Sequence, residues 1–139
     1  EISNWQELGG TDSEIVVISR DSSSGTFEVF EEKVLGGEKV AATALLQTSN
    51  GGVINVVAAT KGAIGYVGLG YLSPALKAVK VDGVSPNNET VISGQFPIAR
   101  PLFVFTNGWP EGLTADFINF ILSAEGQKIA EEQGYVPLF

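Results

Sequence analysis

The sequence predicts an α/β fold, a mixed sheet flanked by helices, and three observations carry that expectation. Short apolar runs rich in Val and Ile alternate along the chain with stretches whose apolar residues recur at helical spacing. Glycine occurs 17 times in 139 residues, which supplies the turns that short, frequent elements need. Hydrophobic residues make up 44% and charged residues 17%, enough to build a core and too apolar for disorder. The length is that of one domain, so residues 1–139 are expected to form a single α/β domain.

The elements follow in order. Glu1 to Gly10 is a short amphipathic stretch that ends in a Gly9-Gly10 turn. Ile15-Val16-Val17-Ile18 marks a buried strand at about 14–19. In the next segment Phe27, Phe30 and Val34 fall at i, i+3 and i+7, while Glu28, Glu31 and Glu32 look outward, so a helix is expected. Gly36-Gly37 supplies its stop. Val53 to Ala59 reads as a short helix despite its β-branched content, because Ser49 or Asn50 offers an N-cap and Gly62 an end. Ala63 to Gly68 reads as a buried strand with close backbone approach at its glycines.

Beyond this point Ala78-Val79-Lys80-Val81-Asp82 alternates and is expected as an exposed or edge strand, ending in an Asp82-Gly83 turn. Asn87 to Gly94 reads as a short helix or irregular chain, and Arg100 to Thr106 as a long apolar strand with Pro101 near its start. Phe117, Phe120, Ile121 and Ala124 give the helix over 113–122. Ser123-Ala124-Glu125-Gly126 is a break and recap before a last helical stretch at 127–133, with a tail strand at 135–138.

Composition excludes whole classes of chemistry. The chain has neither cysteine nor histidine, so disulfides, thiol chemistry, Cys/His zinc sites and a histidine-based triad are impossible. A net charge of −8 opposes binding to nucleic acid or to anionic membrane surfaces. No apolar run approaches the roughly 18 residues of a membrane-spanning helix. The opening lacks the basic-then-apolar pattern of a cleaved leader, so none is expected in these residues.

One polar cluster stands out. Ser19-Arg20-Asp21-Ser22-Ser23-Ser24-Gly25-Thr26 lies where the first strand hands over to a helix. With Ser24 or Gly25 as N-cap, the N–H groups of Gly25, Thr26 and Phe27 have no intrahelical partner. With the helix dipole they make a place for an anion. Gly25 lets a ligand approach the backbone, Ser24 and Thr26 add hydroxyl donors, and Arg20 adds a planar, permanently charged fork. A capped helix whose serines satisfy only the backbone explains the same residues, and the two readings stand about level. The turn Thr48-Ser49-Asn50-Gly51-Gly52 is a weaker version in which capping is favoured. A serine nucleophile is disfavoured, because no histidine exists and Lys33 lies two helical turns away. No P-loop is present, and Glu28, Glu31 and Glu32 read as a solvated helix face rather than a metal site. Trp5 and Trp109 are expected as packing residues.

Several blocks then align in order with one family. Residues 19–26 resemble the Arg-x-Asp-Gly-Ser-Gly-Thr signature of the phosphate-binding proteins that serve ABC-type phosphate transporters, members of the periplasmic binding protein type 2 superfamily. Ile2-Ser3-Asn4-Trp5 with Gly9-Gly10, Ala63-Ile64-Gly65-Tyr66, Pro97 to Leu102, Phe117 to Gln127 and Gly134 to Pro137 are similar to further segments of that family. The resemblance covers essentially all 139 residues.

It implies the second lobe and C-terminal return of a two-lobed receptor that closes on inorganic phosphate, with the first lobe expected ahead of residue 1. It also implies phosphate ligands at Arg20, Ser22, Ser24, Gly25 and Thr26, no catalysis, no cofactor and no metal. Delivery to a transporter permease outside the cytoplasmic membrane follows from the same likeness. The signature's aspartate, the family's carboxylate acceptor for a phosphate proton, falls at Ser22, so acceptance of that proton, and with it the rejection of sulfate, rests on the Ser22 hydroxyl or on Asp21 next to it. Without the first lobe, half the anion donors are missing and apolar surface is left for self-association. The alternative is an interaction or sensing module that keeps the fold with a weak or absent anion site.

Overall fold

A computed structural model of the chain describes residues 2–139. They gather into two compact units, 2–78 and 79–139.

The first unit is a small parallel α/β layer. Its strands are β1 (Val16–Arg20), β2 (Leu45–Gln47) and β3 (Ala63–Gly65), in the order β2-β1-β3. Both pairings are parallel, with Ile18 opposite Leu45 and Gly65, and Arg20 opposite Gln47. The sheet is therefore purely parallel among the described residues, where a mixed one was expected. The β1–β2 and β2–β3 connections each carry a helix, the kind of crossover that parallel strands require. β1 lies in the centre, and its Ile18 and Ser19 are both fully buried although they face opposite sides.

Helix α1 (Gly25–Lys33) leads from β1 toward β2 and packs on β1, and α2 (Asn50–Ala59) packs against all three strands. Val53 of α2 is 2% exposed. A Cβ at Gly65 would stand 2.9 Å from Val53 Cγ1 and 3.0 Å from the Ile18 carbonyl, so glycine there lets α2 sit down on the sheet. The close approach expected at this strand is real. Of the apolar face expected on α1, Phe27 and Phe30 are half-buried; Val34 lies just past the helix end and is exposed.

The opening stretch is a 3-10 helix, Trp5–Leu8, closed by a reciprocal cap. Asn4 Oδ1 accepts from Gln6 N–H, while Glu7 Oε1 accepts from the N–H groups of Ser3 and Asn4 at 2.9 and 2.8 Å. Those two N–H groups hold the Glu7 carboxyl below the usual carboxylate range. Trp5 Nε1 donates to Gly62 O at 2.8 Å and ties this stretch to the β3 turn. Trp5 is thus the packing residue expected.

The second unit holds α3 (Asn88–Ile92), α4 (Gly112–Ile121) and α5 (Ala124–Glu132). The break between the last two falls at the start of the expected one: Ser123 caps α5 by accepting from Gly126 N–H at 3.2 Å, and the helix begins at Ala124, three residues before the stretch expected at 127–133. Gln127, 7% exposed, donates to Ile121 O at 2.9 Å and accepts from Leu138 N–H at 2.8 Å, which pins the tail to the helix pair.

Three expected strands do not form. The alternating stretch 78–82 makes an isolated antiparallel bridge between Val81 and Val84 around the Asp82-Gly83 turn. Residues 100–106 and 135–138 belong to no strand among the described residues. A strand needs a neighbouring edge as well as an apolar run, and none pairs with these segments among the described residues. Trp109 is 90% and Phe105 88% exposed, so Trp109 is not the packing residue expected.

Candidate functional site

The C-terminal end of β1 brings the site together. Ser24 is the N-cap of α1, in extended conformation, and its Oγ accepts from Thr26 N–H at 3.2 Å and Phe27 N–H at 3.3 Å. Both bonds are longer than the usual N–H···O distance, since one oxygen serves two donors. The expectation that these N–H groups lack a partner is therefore corrected: the cap meets them. Ser24 is 7% exposed, and its acceptor capacity is filled. Among the described residues its hydroxyl proton is not donated.

Arg20 occupies the last position of β1, beside the turn that opens α2. Its Nε donates to Gln47 O at 3.3 Å, Nη1 to Asn50 Oδ1 at 2.8 Å and Nη2 to Thr48 O at 3.2 Å. Three bonds to one turn fix the guanidinium plane, and the remaining N–H donors of the fork stay available. The backbone N–H of Arg20 donates to Tyr66 Oη at 3.2 Å. Tyr66 Oη also shares a 2.8 Å hydrogen bond with Ser19 Oγ, and its ring stacks on Phe30 of α1.

The connection between strand and helix is itself a closed turn. Asp21 Oδ1 accepts from Ser23 N–H at 3.0 Å and from the Ser23 hydroxyl, and Ser24 N–H donates to Asp21 O at 3.1 Å. The Ser23 hydroxyl, then the Ser23 N–H, hold the Asp21 carboxyl below the usual carboxylate range. Ser22, at the tip of this turn, is exposed.

An open groove of about 600 Å³ runs over this junction. Arg20, Ser22, Ser24 and Gly25 line it, together with Lys39, Val40 and Leu46 and with Glu28 and Glu31 of α1. Four of the five expected ligands thus face one space. Thr26 is half-buried and is not among the lining residues. Among the described residues no acidic cluster is placed to hold a metal ion.

The turn at 48–52 caps α2 as expected, with Ser49 Oγ accepting from Gly52 N–H at 3.0 Å. Its second task, gripping Arg20, was not visible in the sequence. Tyr66 was missed as well; its partners lie 46 and 47 residues away in the chain.

A family model described as a PBP superfamily domain matches residues 1–125. The chain belongs to the PBP superfamily. Among PBP relatives, the phosphate-binding protein PstS of Bacillus subtilis is 36% identical over 140 residues, covering 99% of this chain and 46% of its own. The PstS of Borreliella burgdorferi is 35% identical over 152 residues, covering 99% and 54%. Among solved PBP-type structures, an ABC-type phosphate transport receptor from Vibrio cholerae superposes with a TM-score of 0.83 at 30% identity, covering 97% of this chain and 57% of that one. A structure from Clostridium perfringens with bound phosphate gives 0.84 at 36% identity, covering 99% and 58%. The chain spans about half the length of the curated relatives it matches.

Proposed function

We propose that this chain is the second lobe and C-terminal return, within residues 1–139, of the substrate-binding component of a phosphate ABC transporter. It binds inorganic phosphate outside the cytoplasmic membrane, hands it to a permease and catalyses nothing. The phosphate sits at the start of α1, where Arg20, Ser22, Ser24, Gly25 and Thr26 contribute. The observation that carries this reading is the Arg20 guanidinium, anchored by three bonds at the C-terminal end of the central strand and opening on the same groove as the α1 cap. Open parallel sheets bind ligands at that end of their strands. The relatives' names, phosphate-binding protein and phosphate transport receptor, supply the anion.

Calorimetric titration of the chain with phosphate, and separately with sulfate, tests the proposal. Phosphate binding that Arg20→Ala weakens by more than about tenfold supports it, since charge-assisted hydrogen bonds contribute on that scale. Unchanged affinity in the variant overturns the site. Sulfate binding of similar strength is expected, because Ser22 offers no carboxylate to accept a phosphate proton.

A second reading, an interaction module, rests on the second unit. Leu102, Phe103, Val104, Phe105 and Trp109 are between 59% and 90% exposed, an apolar surface suited to a protein partner or to another copy. A stable dimer whose melting phosphate leaves unchanged favours it.

A further inference from the structure

Arg20 is held through a side chain that lies outside the signature-like stretch of residues 19–26. We infer that Asn50 is a positioning residue for the anion site: its amide oxygen sets the Arg20 guanidinium before any anion arrives. This inference rests on the phosphate reading above.

The geometry separates Asn50 from the other two acceptors. Gln47 O and Thr48 O are backbone carbonyls at 3.3 and 3.2 Å, and neither can be changed by substitution. Asn50 Oδ1 is the shortest contact of the three, at 2.8 Å, and the one made by a side chain. Asn50 is half-buried in the first turn of α2, fixed there by the Ser49 cap, so its own position is set by the helix. Its Nδ2 lies toward Gly68, where a Cβ would come to 3.9 Å, so the amide stands between the β3 exit and the arginine.

The choice of amide over carboxylate matters. An arginine in water samples many rotamers, and ordering it on binding costs entropy. An acceptor that already holds it removes that cost. A carboxylate would hold it equally well but would cancel the charge that an anion needs. A neutral amide orients the guanidinium and leaves its full positive charge.

Two variants divide these effects. Asn50→Ala removes the acceptor; Asn50→Asp keeps it and adds a charge. Two readouts apply to each variant: the NMR signal and exchange protection, without anion, of the Arg20 Nη1 protons that Asn50 Oδ1 accepts, and the affinity for inorganic phosphate by calorimetry. In the parent chain the Nη1–H signal is expected to be resolved and protected. Asn50→Ala is expected to lose that protection and weaken phosphate binding about tenfold, the scale of one hydrogen bond to a charged group. Asn50→Asp is expected to keep the protection and still weaken binding at least as much.

Unaltered Nη1–H protection in Asn50→Ala overturns the inference, and so does lost protection with unaltered affinity. If Asn50→Ala does not fold, Asn50→Asp decides alone, and full phosphate affinity in that variant overturns it. If the parent chain binds no phosphate, the functional reading falls. The Nη1–H signal then judges the hold on Arg20, and loss of the anion role overturns the rest.

Discussion

Tyr66 lies parallel to Phe30, ring centroids 4.0 Å apart and planes inclined by 4°, while its hydroxyl sits 2.8 Å from the buried Ser19 Oγ. One side chain from just beyond β3 thus joins the central strand to the helix that starts at the site. The hydroxyl also accepts the Arg20 N–H. Tyr66→Phe keeps the stack and removes those bonds, and is expected to destabilise by about 1–2 kcal/mol. Tyr66→Ala removes the stack too and is expected to cost about 3–5 kcal/mol, the range for deleting a packed aromatic. Urea unfolding of both variants measures the difference.

Ser24 carries the helix start. Ser24→Ala leaves two N–H groups without their acceptor and is expected to cost about 1 kcal/mol, whereas Ser24→Gly costs a few tenths. Chemical denaturation orders the two. Equal stability of parent and Ser24→Ala would show that the cap bonds, at 3.2 and 3.3 Å, contribute nothing.

Gly65 marks where α2 meets the sheet. Gly65→Ala forces a methyl to within 2.9 Å of Val53 and 3.0 Å of the Ile18 carbonyl, between a buried helix residue and rigid backbone. Overpacking of this kind costs about 1–3 kcal/mol. A lowered midpoint without a changed slope in denaturation is the expected signature.

The pH dependence of the site turn has a definite sign. Asp21 titrates below the ordinary carboxylate value because the Ser23 hydroxyl and N–H favour its charged form. Its folded pKa is depressed, so its contribution is fully present above the ordinary value near 4, and is lost as pH falls through the lower folded value. Glu7, held by Ser3 and Asn4, behaves in the same direction. Ser23→Ala is expected to return the Asp21 pKa toward 4, as read by NMR titration of its carboxyl carbon.

Much of this architecture was legible because it is local. Ser24, Ser49 and Ser123 each precede an apolar helical period and each caps a helix. Gly65 within a β-branched run marked close approach, and a Val-Ile run marked β1. What failed depends on distant partners. Residues 100–106 have the composition of a strand, but a ladder requires another edge, and Phe105 stands 88% exposed instead. The same holds within the site. Arg20 was readable as the cation at the strand end; that its plane is set by residues 47–50 was not, since register alone puts Gln47 beside it. The expected donors of Thr26 and Phe27 were real but already engaged, because a serine cap competes with any ligand for the same N–H groups.

The Ser24 oxygen takes two N–H bonds and keeps one proton, and this makes the start of α1 directional in its proton traffic. Any molecule arriving there meets a hydroxyl that can give and cannot receive. A guest presenting its own O–H or N–H to Ser24 finds no lone pair and must turn a bare oxygen toward it. The orientation of a hydrogen-bearing guest would therefore be decided at the doorway by a serine whose visible task is to cap a helix.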